Sequence, residues 1–410
     1  MNASEVHQVL RSHGSTGRSF LFEVTGARDI EVSGAGAWVT VSSGSRYLDI
    51  GSYAVFLLGH RHPRVVAAVS RQLNILPGSS RAFPNEALAT ASAALAAAAP
   101  MPSAKVMFLN SGAEATEAAA KLARAATGRP LLLHLEKSYH GKTFGALSLT
   151  DAELFRRPFL PLLPHTQSVS RSDIASVVAA IQSLKPAGVF VEPVQGEGGV
   201  YEIAPEYLQA VRSACDVAGS LLIFDEIQCG LGRCGTMWAS EVASVVPDIL
   251  LTGKALGGGV MPVSAVVATT RCFEPFDRDP IVHSSTFGGN PLAAAAVVSA
   301  LDVIQSERIV QRAAELGEKF RTMLLDLASR WPTLFSHVSG RGLMLGLHCC
   351  RPDISALLIR NCLGRRLLIT PCLTTPHVVR ITPPAILTAD ELEFAAQALE
   401  AAAHLTSQDL

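Results

Sequence analysis

Short apolar runs alternate with longer amphipathic stretches through the middle of the chain. Runs rich in Val, Ile, Leu, Phe and Ala at 105–109, 131–135, 188–192, 221–225, 249–252 and 264–268 have the length of strands. They are close to continuously apolar, as strands buried on both faces are. Helical stretches separate most of them, and this repetition predicts an α/β fold with a mainly parallel sheet covered on both sides. One helix is well delimited: Ser111 followed by Glu114 has the spacing of a capping box, and an alanine-rich stretch then runs to about Gly128. Asn290-Pro291 opens a second long helical region, with proline at the favoured first position. Residues 37–41 and 46–50 read as strands before the repeats begin, and short strands and helices return after Gly340. The turn at 78–81 and the loop at 158–164 are the main punctuation, and no internal repeat is present.

Three strand or helix ends carry candidate chemistry. The run Asp248-Ile-Leu-Leu-Thr-Gly ends in Lys254, with glycines at 257–259. A buried ammonium is costly unless paired or deprotonated. Lys254 is therefore either an ordinary strand-end residue or an amine able to condense with a carbonyl, with glycines that let a ligand approach the backbone. The run Leu221-Leu-Ile-Phe places Asp225 at the C-terminal end of a buried strand, the edge where open α/β sheets bind ligands. Asp225 reads equally as the cap of a following helix. Ser111-Gly112-Ala113 leaves the first N–H groups of its helix open, which suits a phosphate, though a plain capped helix has the same sequence.

Taken together, a phosphate cradle, a strand-end carboxylate and a strand-end lysine are what pyridoxal phosphate needs. The chain resembles the class III, or ω-amino acid, aminotransferases of pyridoxal-phosphate fold type I, which include acetylornithine, ornithine and 4-aminobutyrate aminotransferases. The resemblance runs from about residue 37 to 393. It rests on Gly59-His-Arg-His-Pro, Asn110-Ser-Gly-Ala-Glu-Ala, Tyr139-His-Gly-Lys-Thr, Val191-Glu-Pro-Val-Gln-Gly-Glu-Gly-Gly-Val, Asp225-Glu-Ile-Gln-Cys-Gly, Thr252-Gly-Lys, Ser285-Thr-Phe-Gly-Gly-Asn-Pro and Val379-Arg-Ile-Thr-Pro-Pro, in that order. It implies a large cofactor-binding domain over 61–289 with a sheet of the seven-stranded type. A small α+β domain would be built from 1–60 and from 290–410, the latter beginning with a linking helix.

The resemblance also implies roles. Lys254 matches the Schiff-base lysine, which then shuttles a proton at the substrate carbon; a lysine in water has pKa ~10.4, so its pKa must be depressed. Asp225 matches the partner of the pyridinium nitrogen, and Gln228 the neighbour of the ring oxygen. Ile227 and Tyr139 match the side chains on the two ring faces. Ser111, Gly112 and Ala113 match the phosphate site, and Thr286 the residue that reaches the phosphate of a neighbouring subunit's cofactor. Shared active sites of that kind imply a homodimer. Arg380 matches the arginine that grips the carboxylate of an amino-acid or oxo-acid substrate, and Glu197 the carboxylate that pairs with it when the other substrate is bound.

The chain departs from the best-known members around the outer pocket. Lys142 stands where acetylornithine aminotransferases carry an arginine, and a lysine cannot make a two-pronged carboxylate contact. Val55-Phe56 replaces a Val-Asn pair, whereas Tyr53 matches a substrate-pocket tyrosine of ornithine aminotransferases; Ser285 completes the expected substrate set. Ser19-Phe-Leu-Phe lacks the Pro-Leu-Pro-Val-type opening of both groups. These changes point to an ω-transaminase that moves an amino group from glutamate or alanine to an aldehyde or ketone with an apolar tail in a biosynthetic route. The alternative is an acetylornithine or ornithine aminotransferase using 2-oxoglutarate. The Arg380–Glu197 pair, which suits two alternating substrates, argues against an aminomutase. A decarboxylase on the same fold would release carbon dioxide.

Composition narrows little further. The 410 residues are 49% hydrophobic and 17% charged with net charge −1, which gives no sign of a nucleic-acid partner or of disorder. A cofactor-binding transcription regulator would need a DNA-binding domain, for which too few residues precede 37. The alanine-rich stretches are too short and broken to span a bilayer, and no secretory signal is visible. Eight cysteines without CxxC spacing read as free thiols in a reducing cytoplasm, with no metal site.

Overall fold

The computed structural model describes Met1–Leu410, with every side chain but that of Val24. Seven strands form the central sheet: β1 (Ala104–Leu109), β2 (Leu132–Leu135), β3 (Thr166–Val169), β4 (Gly188–Val191), β5 (Leu221–Asp225), β6 (Ile249–Thr252) and β7 (Ser264–Thr269). Their order across the sheet is β1-β7-β6-β5-β4-β2-β3. Neighbours from β6 to β3 pair in parallel, whereas β7 runs antiparallel to both β6 and β1. The apolar pattern does not reveal that reversal, because a strand buried on both faces reads the same in either direction.

Both faces are covered, as the runs predict. Leu221 and Ile223 of β5 pack with the alanines of the helix Gly112–Thr127 on one face, and Leu222 and Phe224 point into the larger core on the other. Ala115, Ala118, Ala119 and Ala123 let that helix lie close to the sheet, and it ends at Gly128 in the left-handed conformation. The capping box is only half made. Ser111 Oγ accepts the N–H of Glu114, but the Glu114 carboxylate turns to the backbone and side-chain amides of Asn110.

Two smaller sheets flank this core. Glu31–Ala35, Trp38–Val41 and Arg46–Asp49 form an antiparallel meander that takes Leu367–Leu368 as a parallel fourth strand, so N- and C-terminal segments share a sheet. Phe335–Arg341, Met344–Cys349, Val378–Ile381 and Thr370–Pro371 form the other, entirely antiparallel. The N-terminal segment holds more than the strands expected at 37–41 and 46–50: helices Ala3–His13 and Thr16–Thr25 precede the first strand. Ser19-Phe-Leu-Phe lies in the second of them, with Phe20 and Leu21 exposed and Phe22 facing a groove with Val39, Tyr47 and Leu368. Among the described residues no helix is long and apolar enough to cross a membrane.

The helix Ile309–Arg330 packs on Phe335–Arg341 through Gly317, where an added Cβ would overlap the backbone of Gly342. Alanine is ordinarily worth about 1 kcal/mol over glycine inside a helix. Here Gly317→Ala is expected to reverse that sign and destabilise by roughly 1–3 kcal/mol, as overpacking does. A melting temperature at or above that of the parent would contradict it.

Candidate active site

The C-terminal ends of the parallel strands and the start of the helix Gly112–Thr127 enclose a cleft of about 500 Å³. Lys254 enters it two residues after β6 ends, at the head of the short turn Lys254–Gly257. Its φ of 45° is a left-handed conformation that a lysine rarely adopts, so the surrounding structure holds strain at this residue. The amine is still open to the cleft, yet protein surrounds it on the other sides. That burial depresses its pKa to about 8; Glu197 opposes the shift, Arg380 adds to it, and Asp225 and Glu192 oppose it.

Asp225 closes β5 beside this amine. The chain then enters turns and not a helix, so the carboxylate is no helix cap. Its Oδ1 accepts the N–H of Ile227 at 3.1 Å, and its Oδ2 lies 2.7 Å from Nδ1 of His140. His140 is buried, and its backbone is pinned by Thr150 and Thr116 hydroxyls at 2.9 and 2.8 Å. Burial works against the charged imidazole, but the hydrogen bond and charge of Asp225, with the charge of Glu192, raise its pKa above the usual value. In the sequence His140 stands out only as the histidine between Tyr139 and Gly141. Glu192 likewise shows only as one residue of the Val191-Glu-Pro-Val motif; it is a buried carboxyl in the cleft wall that accepts the Tyr139 N–H at 2.8 Å and is pushed to about 7 by burial.

The opposite end of the cleft is shaped by glycine. A Cβ on Gly112 would stand 3.0 Å from Ile227 Cδ1, and one on Gly141, at φ 128°, 2.7 Å from the Ala113 Cβ. Gly112 and Ala113 are the first two residues of their helix, whose leading N–H groups have no carbonyl one turn back. Ser264 Oγ of β7 donates to the Ser111 carbonyl at 2.6 Å and holds this turn against the sheet. The result is a small, backbone-lined hollow at a helix N-terminus, beside a lysine and across from a carboxylate–imidazole pair.

Arg380 and Glu197 form a fully buried ion pair reached through Gln228. Arg380 Nη1 donates to Glu197 and, at 3.1 Å, to Gln228 Oε1. Its Nε and Nη2 are buried with no partner among the described residues. Burial alone would raise the Glu197 pKa, but Arg380 and Lys254 hold it below the usual value. The Tyr53 ring lies 5.6 Å from the Arg380 guanidinium, on a backbone with φ of 51°.

The remaining sequence candidates divide between wall and surroundings. Tyr139, Ile227, Gln228 and Lys142 line the cleft. Lys142 is exposed and sets its ammonium 3.9 Å from the centre of the Phe155 ring. Phe56 packs on His60 at 3.8 Å between ring centres and against Gly259. Ser285 is tied to Asn110 and Glu114 at 2.7 and 3.2 Å. Thr286 is exposed and stands apart from Lys254, in a neighbouring cavity of about 1160 Å³ bounded by residues 77–85 and 286–290. Asn110, Met261 and Pro262 line both spaces.

The sequence profile of the aminotransferase class-III family matches residues 28–403. The chain belongs to this family. It is 39% identical over 359 residues to a putrescine aminotransferase of Pectobacterium atrosepticum, covering 85% of this chain and 77% of that one. Ornithine aminotransferase of Toxoplasma gondii superposes with TM-score 0.87 at 32% identity, covering 93% of this chain and 91% of that one. A transaminase of the marine bacterium Virgibacillus superposes with TM-score 0.91 over 99% of each chain at 22% identity, a likeness of fold. This class-III aminotransferase therefore has the fold type I architecture, and the cleft at its strand ends is the place to look for its chemistry.

Proposed function

We propose that this aminotransferase holds pyridoxal 5'-phosphate in the 500 Å³ cleft and exchanges amino groups between an amino acid, such as glutamate or alanine, and an aliphatic aldehyde or ketone with an apolar tail. The observation that carries the reading is the convergence of Lys254, the Asp225–His140 pair and the open helix start at Gly112–Ala113 on one hollow. When bound, the cofactor supplies a carbonyl that condenses with amines and a ring that takes up electrons from the substrate carbon. The chain supplies the rest. Backbone N–H groups of Gly112 and Ala113, with Ser111, would bind its phosphate. Asp225 would hold a proton at its ring nitrogen, and Gln228, Tyr139 and Ile227 line the space that the ring would take. Lys254, with its pKa near 8, is uncharged often enough near neutral pH to take a proton from the substrate carbon and return it.

Arg380 supports two alternating substrates. Its unpartnered Nε and Nη2 form one edge of a guanidinium, suited to a bidentate carboxylate, while Glu197 keeps it neutralised when the second substrate has none. Val55, Ile227, Val260, Met261, Pro262 and Val263 give the cleft apolar walls. The Lys142 charge near its mouth disfavours a substrate with a second ammonium. A terminal diamine or ornithine is the second reading, favoured by the 39% and 32% identities to enzymes of those names. Tyr53, Phe56, Lys142 and Ser285 are the residues through which the two readings would differ. Thr286, exposed beside the neighbouring cavity, fits a role toward a second copy of the chain in a cytoplasmic homodimer. The division at 61–289 and 290–410 completes this reading.

Arg380→Ala is expected to raise the KM for the oxo-acid partner about 30- to 150-fold, the loss of a charge-assisted bidentate contact of roughly 2–3 kcal/mol. The KM of an uncharged-tail amine should move far less. Equal losses for both would reduce Arg380 to a structural residue. Turnover of putrescine, ornithine or N-acetylornithine at least as efficient as that of any apolar amine tested beside it would sink the apolar-tail reading.

A further inference from the structure

The two halves of the Arg380–Glu197 ion pair are held very unequally. Arg380 lies on the strand Val378–Ile381, which pairs back on Thr370–Pro371, and residues 372–377 form the loop between them. The loop closes on itself: the Cys372 N–H donates to the Val378 carbonyl at 2.8 Å and the Val378 N–H to the Thr375 carbonyl at 2.9 Å. It then reaches across to Glu197. Thr374 and Thr375 both donate their hydroxyls to the Glu197 carbonyl, at 2.6 and 3.0 Å, and the Leu373 N–H donates to the carboxylate Oε2 at 2.8 Å. Three consecutive residues thus grip both the backbone and the side chain of Glu197. Its neighbours are fixed as well. The Gly196 carbonyl accepts from Cys372 Sγ at 3.2 Å and the Gly198 carbonyl from Arg171 Nη1 at 3.1 Å, and residues 191–200 are all buried.

Arg380 is held by less. One nitrogen, Nη1, bonds Glu197 and Gln228, while Nε and Nη2 have no partner among the described residues. The guanidinium is wholly buried, so a substrate carboxylate meets its free edge only after something moves. Were Glu197 to leave, its carboxylate would abandon the Leu373 N–H and the Gln228 amide as well as Arg380, and donors left unmatched are costly. A guanidinium carries five N–H groups in one plane, so Arg380 can turn and offer Glu197 a different one. The Tyr53 ring, 5.6 Å from the guanidinium, is half exposed and leaves room for that turn.

We propose that Thr374 and Thr375 are positioning residues that keep Glu197 stationary, so that Arg380 is the half of the pair that moves between the two substrates. The proposal rests on the two-substrate reading of Arg380 and deepens it by naming the side chain that answers the carboxylate. With an amine that has no carboxylate near the reacting carbon, Glu197 stays on Arg380 and the substrate meets a neutral pair. With an amino or oxo acid, the guanidinium turns its Nε–Nη2 edge to the substrate and keeps another N–H on Glu197. The two hydroxyls thereby set the ratio between the substrate classes. A slack Glu197 would leave Arg380 uncompensated for part of the time, which penalises an apolar amine and not an oxo acid.

The test uses the full-length, cofactor-loaded enzyme, with hexylamine or putrescine, whichever is turned over faster, and 2-oxoglutarate or pyruvate as the paired substrates. Thr374→Val combined with Thr375→Val should raise the amine KM about tenfold, the size of a lost hydrogen bond, with kcat and the oxo-acid KM nearly unchanged. Thr374→Ser combined with Thr375→Ser keeps both hydroxyls and should restore most of the amine KM. Equal shifts in the two KM values, an unmoved amine KM, or a serine pair as impaired as the valine pair would overturn the proposal. A crystal structure of the wild type with cofactor and glutarate, a dicarboxylate without an amino group, needs no variant. There Glu197 should remain on the Leu373 N–H and the guanidinium should have turned. A Glu197 carboxylate displaced from Leu373, or a guanidinium that has not turned, would overturn the proposal even if the valine pair fails to fold. Failure of the two-substrate reading itself would show separately, as equal KM losses in Arg380→Ala.

Discussion

Lys254→Ala is expected to abolish turnover in a protein that still folds. Among the described residues the lysines lining the cleft are Lys254 and the exposed Lys142, and burial suppresses the charge of Lys254. Removing a group that both bonds to the reacting system and moves its proton costs on the order of 10⁵-fold or more in kcat. Borohydride fixation of the cofactor followed by peptide mapping should place the label on Lys254 in the wild type; a label on another lysine would refute the assignment. The substitution also has a signature in stability. With a pKa near 8 in the folded chain and ~10.4 unfolded, the unfolded chain binds more protons between those values. Stability of the cofactor-free wild type therefore gains a rising contribution from pH 8 to 10 that the alanine variant should lack.

Asp225→Ala should lower the chemical step by two to three orders of magnitude or more, since an electrostatic contribution of this kind is commonly worth about 3 kcal/mol. The loss is twofold. On the proposed reading the ring nitrogen would lose the carboxylate that holds its proton, and His140 loses the hydrogen bond that raises its pKa against burial. His140 should then become neutral across the working range, which an imidazole titration detects independently of rate. Near-normal turnover in the variant would show that another group protonates the ring, with Glu192 the first to examine.

Much of this was readable from the chain before any coordinates. The strands ending at Asp225 and Thr252 have the bounds that their apolar runs predict, because a short run of large apolar residues closed by a polar one leaves few alternatives. The helix at Gly112 follows from Ser111 and its alanines. What escaped is what depends on packing between distant segments. Glu114 abandons its own cap because Asn110 and Ser285 offer it more bonds. The N-terminal helices Ala3–His13 and Thr16–Thr25 bury little; the first has only the short apolar stripe Val6, Val9 and Leu10 behind its Asn2–Glu5 capping box, and no buried strand beside it draws attention to it. His140 and Glu192 owe their importance to burial and to each other's charge, which no local pattern records.

The reversed strand β7 also governs when the site can exist. Among the described residues it is the only neighbour of β1 in the sheet, and β1 leads directly into the helix start at Ser111, the proposed phosphate cradle. A nascent chain that has emerged as far as residue 260 has β1 and its helix but no partner to receive them. Pairing across more than 150 residues of intervening chain is a slow, entropically costly closure. Until Thr269 is free, β1 is an unpaired edge, exposed to capture by other chains. The cleft beside Ser111 is thus among the last parts of the large sheet to form, and translation speed past β7 becomes a determinant of how much enzyme is recovered active.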